Sequence, residues 1–300
     1  MTKNGNNQLL REFSNEDIKN AVYNMFKFLR PVSDERIYHY TTLSAFKGIL
    51  ESRSLHLSHI LCSNDYTEFE NGIKFFWEDW LSSAKEKFSN LTSCIKNHES
   101  LKETLLNAHN KTNHSCFFSC CFGEKGNDKL NQWRVYAQDG FGVAIGFDTQ
   151  VMLEICRLKG FFLGKCLYLK DDKIKACDTL AEQLQHDIKN KNFRDLLMID
   201  TQIFSLFAKD ECFEEEREAR IATHPINISL DIKERNNRLV AFYALDIKEV
   251  MTNLIREVRI GPSHKSYEIR KMIEILLEKA GIVNCVIKES NIPYRSYKIQ

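Results

Sequence analysis

The sequence predicts an α+β fold: a mixed central β-sheet, split or continuous, carrying helical insertions. Three observations predict it. Short strand-patterned runs ("RIYHY", "SLHLS", "SCFFSCCF", "FGVAIGFD", "GKCLYL", "REARIATH") are spread along the chain and alternate with helix-patterned stretches. The closing part, "EVRIGPSHKSYEIRKMIEILLEKAGIVNCVIKES", reads as strand, helix ending before Gly281, then strand. The 300 residues are 43% hydrophobic and 28% charged, with only four prolines and twelve glycines, too few for a flexible linker. One compact domain over 1–300 is therefore expected, with an N-terminal helical lid over 1–31 and helical insertions over 64–112 and 172–208.

Each element has a local reason. In "SNEDIKNAVYNMFKFLRP" a cap near Ser14 or Asn15, an acidic first turn and apolar Ile18, Val22, Met25, Phe26 and Leu29 give an amphipathic helix stopped before Pro31. A strand over Arg36 to Tyr40 leads to Thr41 and Thr42, helix-capping residues, and a helix with Leu43, Phe46, Ile49 and Leu50 on one side. "SLHLS" follows as a strand. Asn64 and Asp65 open a long amphipathic helix through "EFENGIKFFWEDWLSSAKEKF". Residues 92 to 112 read as a helix polar enough to be peripheral. "SCFFSCCF" and "FGVAIGFD" are strands flanking the short helix "DKLNQWRVYAQDG", and helices fill 172 to 208 before "REARIATH" resumes the sheet.

Composition removes several functions. With 42 basic against 41 acidic side chains the formal charge is +1, so binding nucleic acid by bulk phosphate neutralisation is not predicted; a local patch or a transient nucleic-acid substrate remains compatible. No signal peptide and no membrane-length apolar run are visible, which points to a cytoplasmic protein with no membrane partner. The ten cysteines sit mostly in apolar runs and read as reduced core residues. His114, Cys116 and Cys120 share a strand face, but no C-x-x-C pair completes a zinc site, so no metal is expected.

Four constellations carry chemistry. In "FEEEREARIAT" the strand period of two places Glu216, Glu218 and Arg220 on one face, where two carboxylates raise each other's pKa unless a cation offsets them. Such a pair stabilises a positive centre or accepts a proton; on a solvated face it is only surface charge. His39, between Tyr38 and Tyr40, is either a ligand-binding imidazole beside a helix N-terminus or a histidine satisfied by a backbone carbonyl. Asp65 suits helix capping and Glu68 stays open. Trp133 and Tyr136 share a helical face and are core or a stacking platform, while "SNIPYRSY" offers Arg295 to an anion or locks the chain end.

Taken in order, "YHYTTLSAFKGIL", "SNDYTEFE", "QWRVYAQDGFGVAIGFD", "EEREARI", "IGP" and "SNIPYR" resemble the prokaryotic family called domain of unknown function 2971, over residues 37 to 295. The opening motif is also similar to that of ADP-ribosyltransferases of the DNA-modifying toxin type. That resemblance implies an ADP-ribosyltransferase-like fold and an enzyme that consumes NAD, transferring ADP-ribose to a nucleic-acid or protein acceptor or hydrolysing NAD. A toxin or phage-defence role with an antitoxin or defence-system partner would follow. It makes Glu218 or Glu216 catalytic and puts His39 on the ribose with Thr41 beside it. Tyr66 or Tyr136 would stack on nicotinamide, and Arg220, Tyr294 and Arg295 complete the cofactor-binding candidates. The mechanism requires His39 and Glu218 to line one cleft; opposite sides of the sheet would remove it. The competing readings are a non-catalytic nucleotide- or partner-binding module and a metal-dependent nuclease using Glu216 and Glu218.

Overall fold

A computed structural model describes residues 29, 31–62, 67–96, 100–108, 117–124, 128–223, 231–235, 237–264 and 266–296. The expected lid over 1–31 lies outside them except for Leu29 and Pro31, as do Tyr66, His114 and Cys116.

Among the described residues ten strands form one mixed, open sheet in the order β10-β9-β4-β1-β3-β2-β8-β7, with β6 on β3 and β5 on β6. They are β1 (Arg36–Thr41), β2 (Ser54–His59), β3 (Phe118–Gly123), β4 (Val143–Asp148), β5 (Phe162–Lys165), β6 (Glu218–Ala222), β7 (Asp231–Arg235), β8 (Arg238–Asp246), β9 (Ile255–Ile260) and β10 (Val286–Glu289). The β9–β10 pair is parallel and the other strand pairs are antiparallel. The hairpin β7–β8 and the helix Thr149–Lys159 have no counterpart in the sequence reading.

The sheet forks at β3. One edge of β3 pairs with β6 from Ser119 to Gly123. Its other edge meets β2 at Phe118 and Ser119 and β1 at Gly123, so the two wings diverge between these points. The Cys121 carbonyl faces the gap and accepts a hydrogen bond from His39 Nδ1 at 3.1 Å. Where the neighbouring strands diverge the ladder gives this carbonyl no donor on that side, and the histidine supplies one.

Strand alternation separates two faces. Ile37, Phe122, Ile145, Phe147, Ala219, Ile221 and Val258 pack on one face, together with Phe46, Met152 and Ile273 from three covering helices. Tyr38 and Tyr40 turn to the other face, where Tyr40 meets the Trp133 ring edge-on with centroids 4.8 Å apart. Thr42 caps the helix Leu43–Ser52 by accepting the Ala45 N–H at 3.1 Å.

The helices Glu68–Lys74, Ser89–Lys96, Ser100–Ala108, Lys170–Asp187 and Phe193–Phe207 share a second core with Ala222 and Phe162 of the sheet. Within 92–112 the described residues, 92–96 and 100–108, are therefore not peripheral: Leu101 and Leu105, with Leu91 and Ile95 beside them, are buried in that core. The long helix is broken by a π-helical stretch over Phe75–Trp80, which stacks Phe76 on Trp80 at 4.8 Å. At Gly72 a Cβ would stand 2.6 Å from the Ser205 Cα, so only glycine lets these two helices cross so closely. Among the described residues no helix is long and apolar enough to cross a membrane.

Candidate functional site

The helical lobe meets the sheet at β6, and the charged residues gather there. Period two holds for Glu218 and Arg220, which point to the lobe while Ala219 and Ile221 enter the opposite core. Glu216 does not belong to the strand. It ends a 3-10 turn over Glu211–Glu216, and Arg217 then takes a left-handed conformation (φ 43°) before the chain extends. The turn still delivers Glu216 to the same place, because Lys209 reaches both carboxylates: Nζ is 2.5 Å from Glu216 Oε2 and 2.7 Å from Glu218 Oε2.

Arg220 completes the clamp. Its Nε donates to Glu218 Oε1 at 2.8 Å and its Nη1 to the Leu206 carbonyl at 2.6 Å. Nη1 also stands 2.6 Å from Glu68 Oε1, an ion pair without an aligned hydrogen bond. Close crossing at Gly72 holds the helix that carries Glu68 against the helix ending at Phe207. The Glu218 N–H donates to the Tyr168 hydroxyl at 2.9 Å. Lys209, Glu218, Arg220 and Glu68 are all buried.

Burial opposes the charge on Glu218, but Arg220 and Lys209 outweigh it and hold the carboxyl at about 2. Burial likewise opposes the charge on Lys209, and Glu218 overcomes it, raising the ammonium pKa. For Glu68 burial wins over Arg220, and its pKa is raised. Two carboxyl groups beside the same guanidinium are thus shifted in opposite directions. The cluster sets three carboxylates against two cations.

Cys121 lies opposite Arg220 in the β3–β6 register, and its thiol hydrogen-bonds the Glu218 carboxylate. Its surface is exposed, yet crowding by the surrounding protein is the first cause pushing its thiol pKa up. A side chain both surrounded and open to solvent is the floor of a recess. The helix Leu130–Tyr136 makes one wall: the Tyr136 hydroxyl donates to Glu216 Oε1 at 3.3 Å, and Gln132 Nε2 donates to the Glu216 carbonyl at 3.3 Å. Burial, then the Glu216 charge, raises the Tyr136 pKa.

Of the expected site residues, the structure brings together Glu216, Glu218, Arg220 and Tyr136. His39 is not among them. It is paired across β1–β4 with Ile145, and its ring lies 5.8 Å from that of Phe122, both members of the opposite face. Tyr38, Gly123 and Glu218 follow one another in register on the cluster's face. His39 and Glu218 therefore stand on opposite sides of the sheet and cannot line one cleft. Of the two roles open to His39, the structure displays the carbonyl-satisfying one. Thr41 is buried and shares the His39 face by strand alternation. Trp133 is core, with its indole N–H on Asp128 at 2.6 Å. Tyr294 locks the chain end through a 2.8 Å bond from its hydroxyl to Asp139, and Arg295 beside it is exposed.

Sequence reasoning missed Lys209, Tyr168 and Cys121. Cys121 carried a usable signal, since adjacent cysteines on a strand face opposite ways and only one of Cys120 and Cys121 can enter the core. Lys209 and Tyr168 carry none, because their roles arise from distant parts of the chain.

A family model described as a protein of unknown function, DUF2971, matches residues 132–221. The match takes in Tyr136, Tyr168, Lys209, Glu216, Glu218 and Arg220 and supports the family resemblance. No curated protein and no solved structure matches the chain.

Proposed function

We propose that this chain is a nucleotide-binding module whose recess over Cys121 reads ribose hydroxyls through Glu216 and Tyr136, without glycosyl-transfer chemistry by His39 and Glu218. The observation that carries it is the placement of His39 and Glu218 on opposite faces, with Glu218 clamped by Lys209 and Arg220. The half-buried Glu216 carboxylate and the oxygen of the Tyr136 hydroxyl, whose proton goes to Glu216, offer acceptors to the two O–H groups of a ribose diol. The carboxylate excess favours hydroxyls over phosphate oxygens at this point. Calorimetric titration with NAD, ADP-ribose and adenosine tests the reading. Saturable binding weakened by Glu216→Gln, with no nicotinamide released from NAD, is expected; no binding of any of the three would sink it.

A second reading, NAD consumption by an ADP-ribosyltransferase-like enzyme, is favoured by one specific observation. Glu216 flanks the open recess beside an ionised Glu218, and three carboxylates against two cations suit the positive charge that develops on ribose as nicotinamide leaves. In that reading Glu216 is the working carboxylate, Glu218 a fixed charge, and His39 has no part. Nicotinamide release by the native chain, abolished in Glu216→Gln, would replace the first reading with this one. The macromolecular acceptor, the toxin or defence role and a partner protein belong to it. The nuclease reading lacks ligands: among the described residues no group of three His, Cys, Asp or Glu side chains is placed to hold a metal ion.

A further inference from the structure

Gln132 is the buried polar residue of the recess wall to which ribose reading gives no task. It is 6% exposed and belongs to the helix Leu130–Tyr136. Its main-chain N–H is taken by Asn131 Oδ1 at 2.8 Å, and its Nε2 donates to the Glu216 carbonyl at 3.3 Å. That bond fixes which way round the amide lies, because a carbonyl only accepts and the nitrogen end alone can serve it. Oε1 is then turned away from the Glu216 main chain, and among the described residues nothing donates to it. Nor is it sealed: Oε1 keeps exposed surface, unlike the enclosed orphan atoms of Trp77 and Thr149. An amide set this deeply, held at its nitrogen and open at its oxygen, calls for a hydrogen-bond donor.

The surroundings narrow the donor. Gln132 and Tyr136 are four residues apart, so they share a helix face with their Cβ atoms about 5–6 Å from each other. Both end on Glu216, the amide on its main chain and the phenol on its carboxylate. The acceptors for the ribose hydroxyls and the open Oε1 therefore stand one helical turn apart on the same wall, a separation a nucleoside can bridge between its diol and its base. Nε2 also has a second N–H beyond the one given to Glu216. An acceptor beside a donor on one planar edge is the pattern by which glutamine reads adenine, through N6 and N7. Guanine presents two acceptors on that edge, N7 and O6, and would set oxygen against oxygen.

We propose that Gln132 selects the base of the bound nucleotide, its Oε1 accepting a hydrogen bond from the exocyclic amino group of adenine. Granted the ribose reading on which this rests, Gln132 is the residue that tells one nucleoside from another. The carboxamide of nicotinamide carries the same N–H2 group beside an acceptor, so the two sources are compared directly.

Isothermal calorimetry on the full chain with adenosine, with purine riboside, which lacks the amino group, and with nicotinamide riboside tests the assignment. Adenosine should bind about tenfold tighter than purine riboside, the worth of one neutral hydrogen bond. Gln132→Met keeps the side-chain length and removes the amide, so it should bring those two affinities together. A purely structural role for Gln132 would lower both and keep their ratio. The comparison of ligands runs on the native chain and decides the matter even if Gln132→Met folds poorly. Equal affinity for adenosine and purine riboside, tightest binding of nicotinamide riboside, or an unchanged ratio in Gln132→Met overturns the selection of adenine and leaves ribose reading in place. Binding of none of the three removes both.

Discussion

Glu218 and Glu257 lie on the same face of one sheet, both buried and both held by cations, yet they sit in opposite electrostatic settings. Glu218 shares two cations with two other carboxylates, and its cations are almost fully enclosed, the Lys209 and Arg220 side chains being 6% exposed. Glu257 faces Arg36, Arg259 and Lys288 alone, and two of these reach water, Arg36 at 24% and Lys288 at 49% exposure. One cluster is carboxylate-rich beside an open thiol; the other is cation-rich. The same device, a buried carboxylate on a strand, thus sits in an excess of carboxylates at one end of the face and in an excess of cations at the other.

Removing each carboxylate charge is the strongest way to break the comparison. Glu218→Gln leaves Lys209 and Arg220 buried with less compensation and is expected to cost about 3–5 kcal/mol in urea unfolding. Glu257→Gln should cost clearly less, because solvent screens Arg36 and Lys288. Equal losses would show that enclosure does not distinguish the two clusters.

Acid sharpens it further. Glu218 has a folded pKa of about 2 against an ordinary 4.5, so its stabilisation is fully present above pH 4.5 and is lost as pH falls toward 2. The loss is on the order of 3 kcal/mol from 1.36 kcal/mol per unit, and Glu218→Gln should flatten that limb of the stability profile. Asp200, buried in the helical core, gives the opposite sign. Burial, then the Asp187 charge, raises it to about 8, so its contribution is full below its ordinary 3.8 and fades as pH rises through 8. Asp200→Asn should reduce the fall in stability with rising pH; an unchanged slope would place the alkaline limb elsewhere.

Backbone geometry separates the clusters next. Gly146→Ala inserts a methyl group 3.0 Å from both Glu257 and Tyr38 and should cost about 1–3 kcal/mol by overpacking. It should leave the acid limb set by Glu218 intact. A change in that limb would mean the two clusters communicate across β1.

Much of this arrangement was legible before the structure. The β1–helix–β2 opening, the strand carrying Glu218 and Arg220, and the final strand–helix–strand all follow from local period and capping. Local pattern could not place His39, because strand alternation fixes which residues share a face but not which side a distant carboxylate occupies. Nor could it foresee that Arg217 breaks the strand while the turn before it returns Glu216 to Lys209. The hairpin Asp231–Arg235 and Arg238–Asp246 has no counterpart in the sequence reading, though "RLVAFYALD" has strand composition. The helices Ser89–Lys96 and Ser100–Ala108 look polar in sequence, and their few apolar positions only show their importance against the two long helices that receive them.

The smallest expected effect bears on the recess itself. Cys121→Ser keeps a donor for Glu218 and changes the side chain by one atom, so stability should shift by no more than about 0.5 kcal/mol. Reactivity is the informative readout. An exposed thiol with an ordinary pKa reacts readily with iodoacetamide at neutral pH, whereas crowding and the Glu218 charge keep the Cys121 thiol protonated. Labelling at Cys121, followed by mass spectrometry, should be slow at pH 7 and accelerate with pH. In Glu218→Gln the charge that holds the proton is gone, so labelling at pH 7 should quicken if the fold is kept. Rapid labelling of the native chain would mean that the thiol does not rest against Glu218, and the recess would lose the floor that distinguishes its end of the sheet from the Glu257 end.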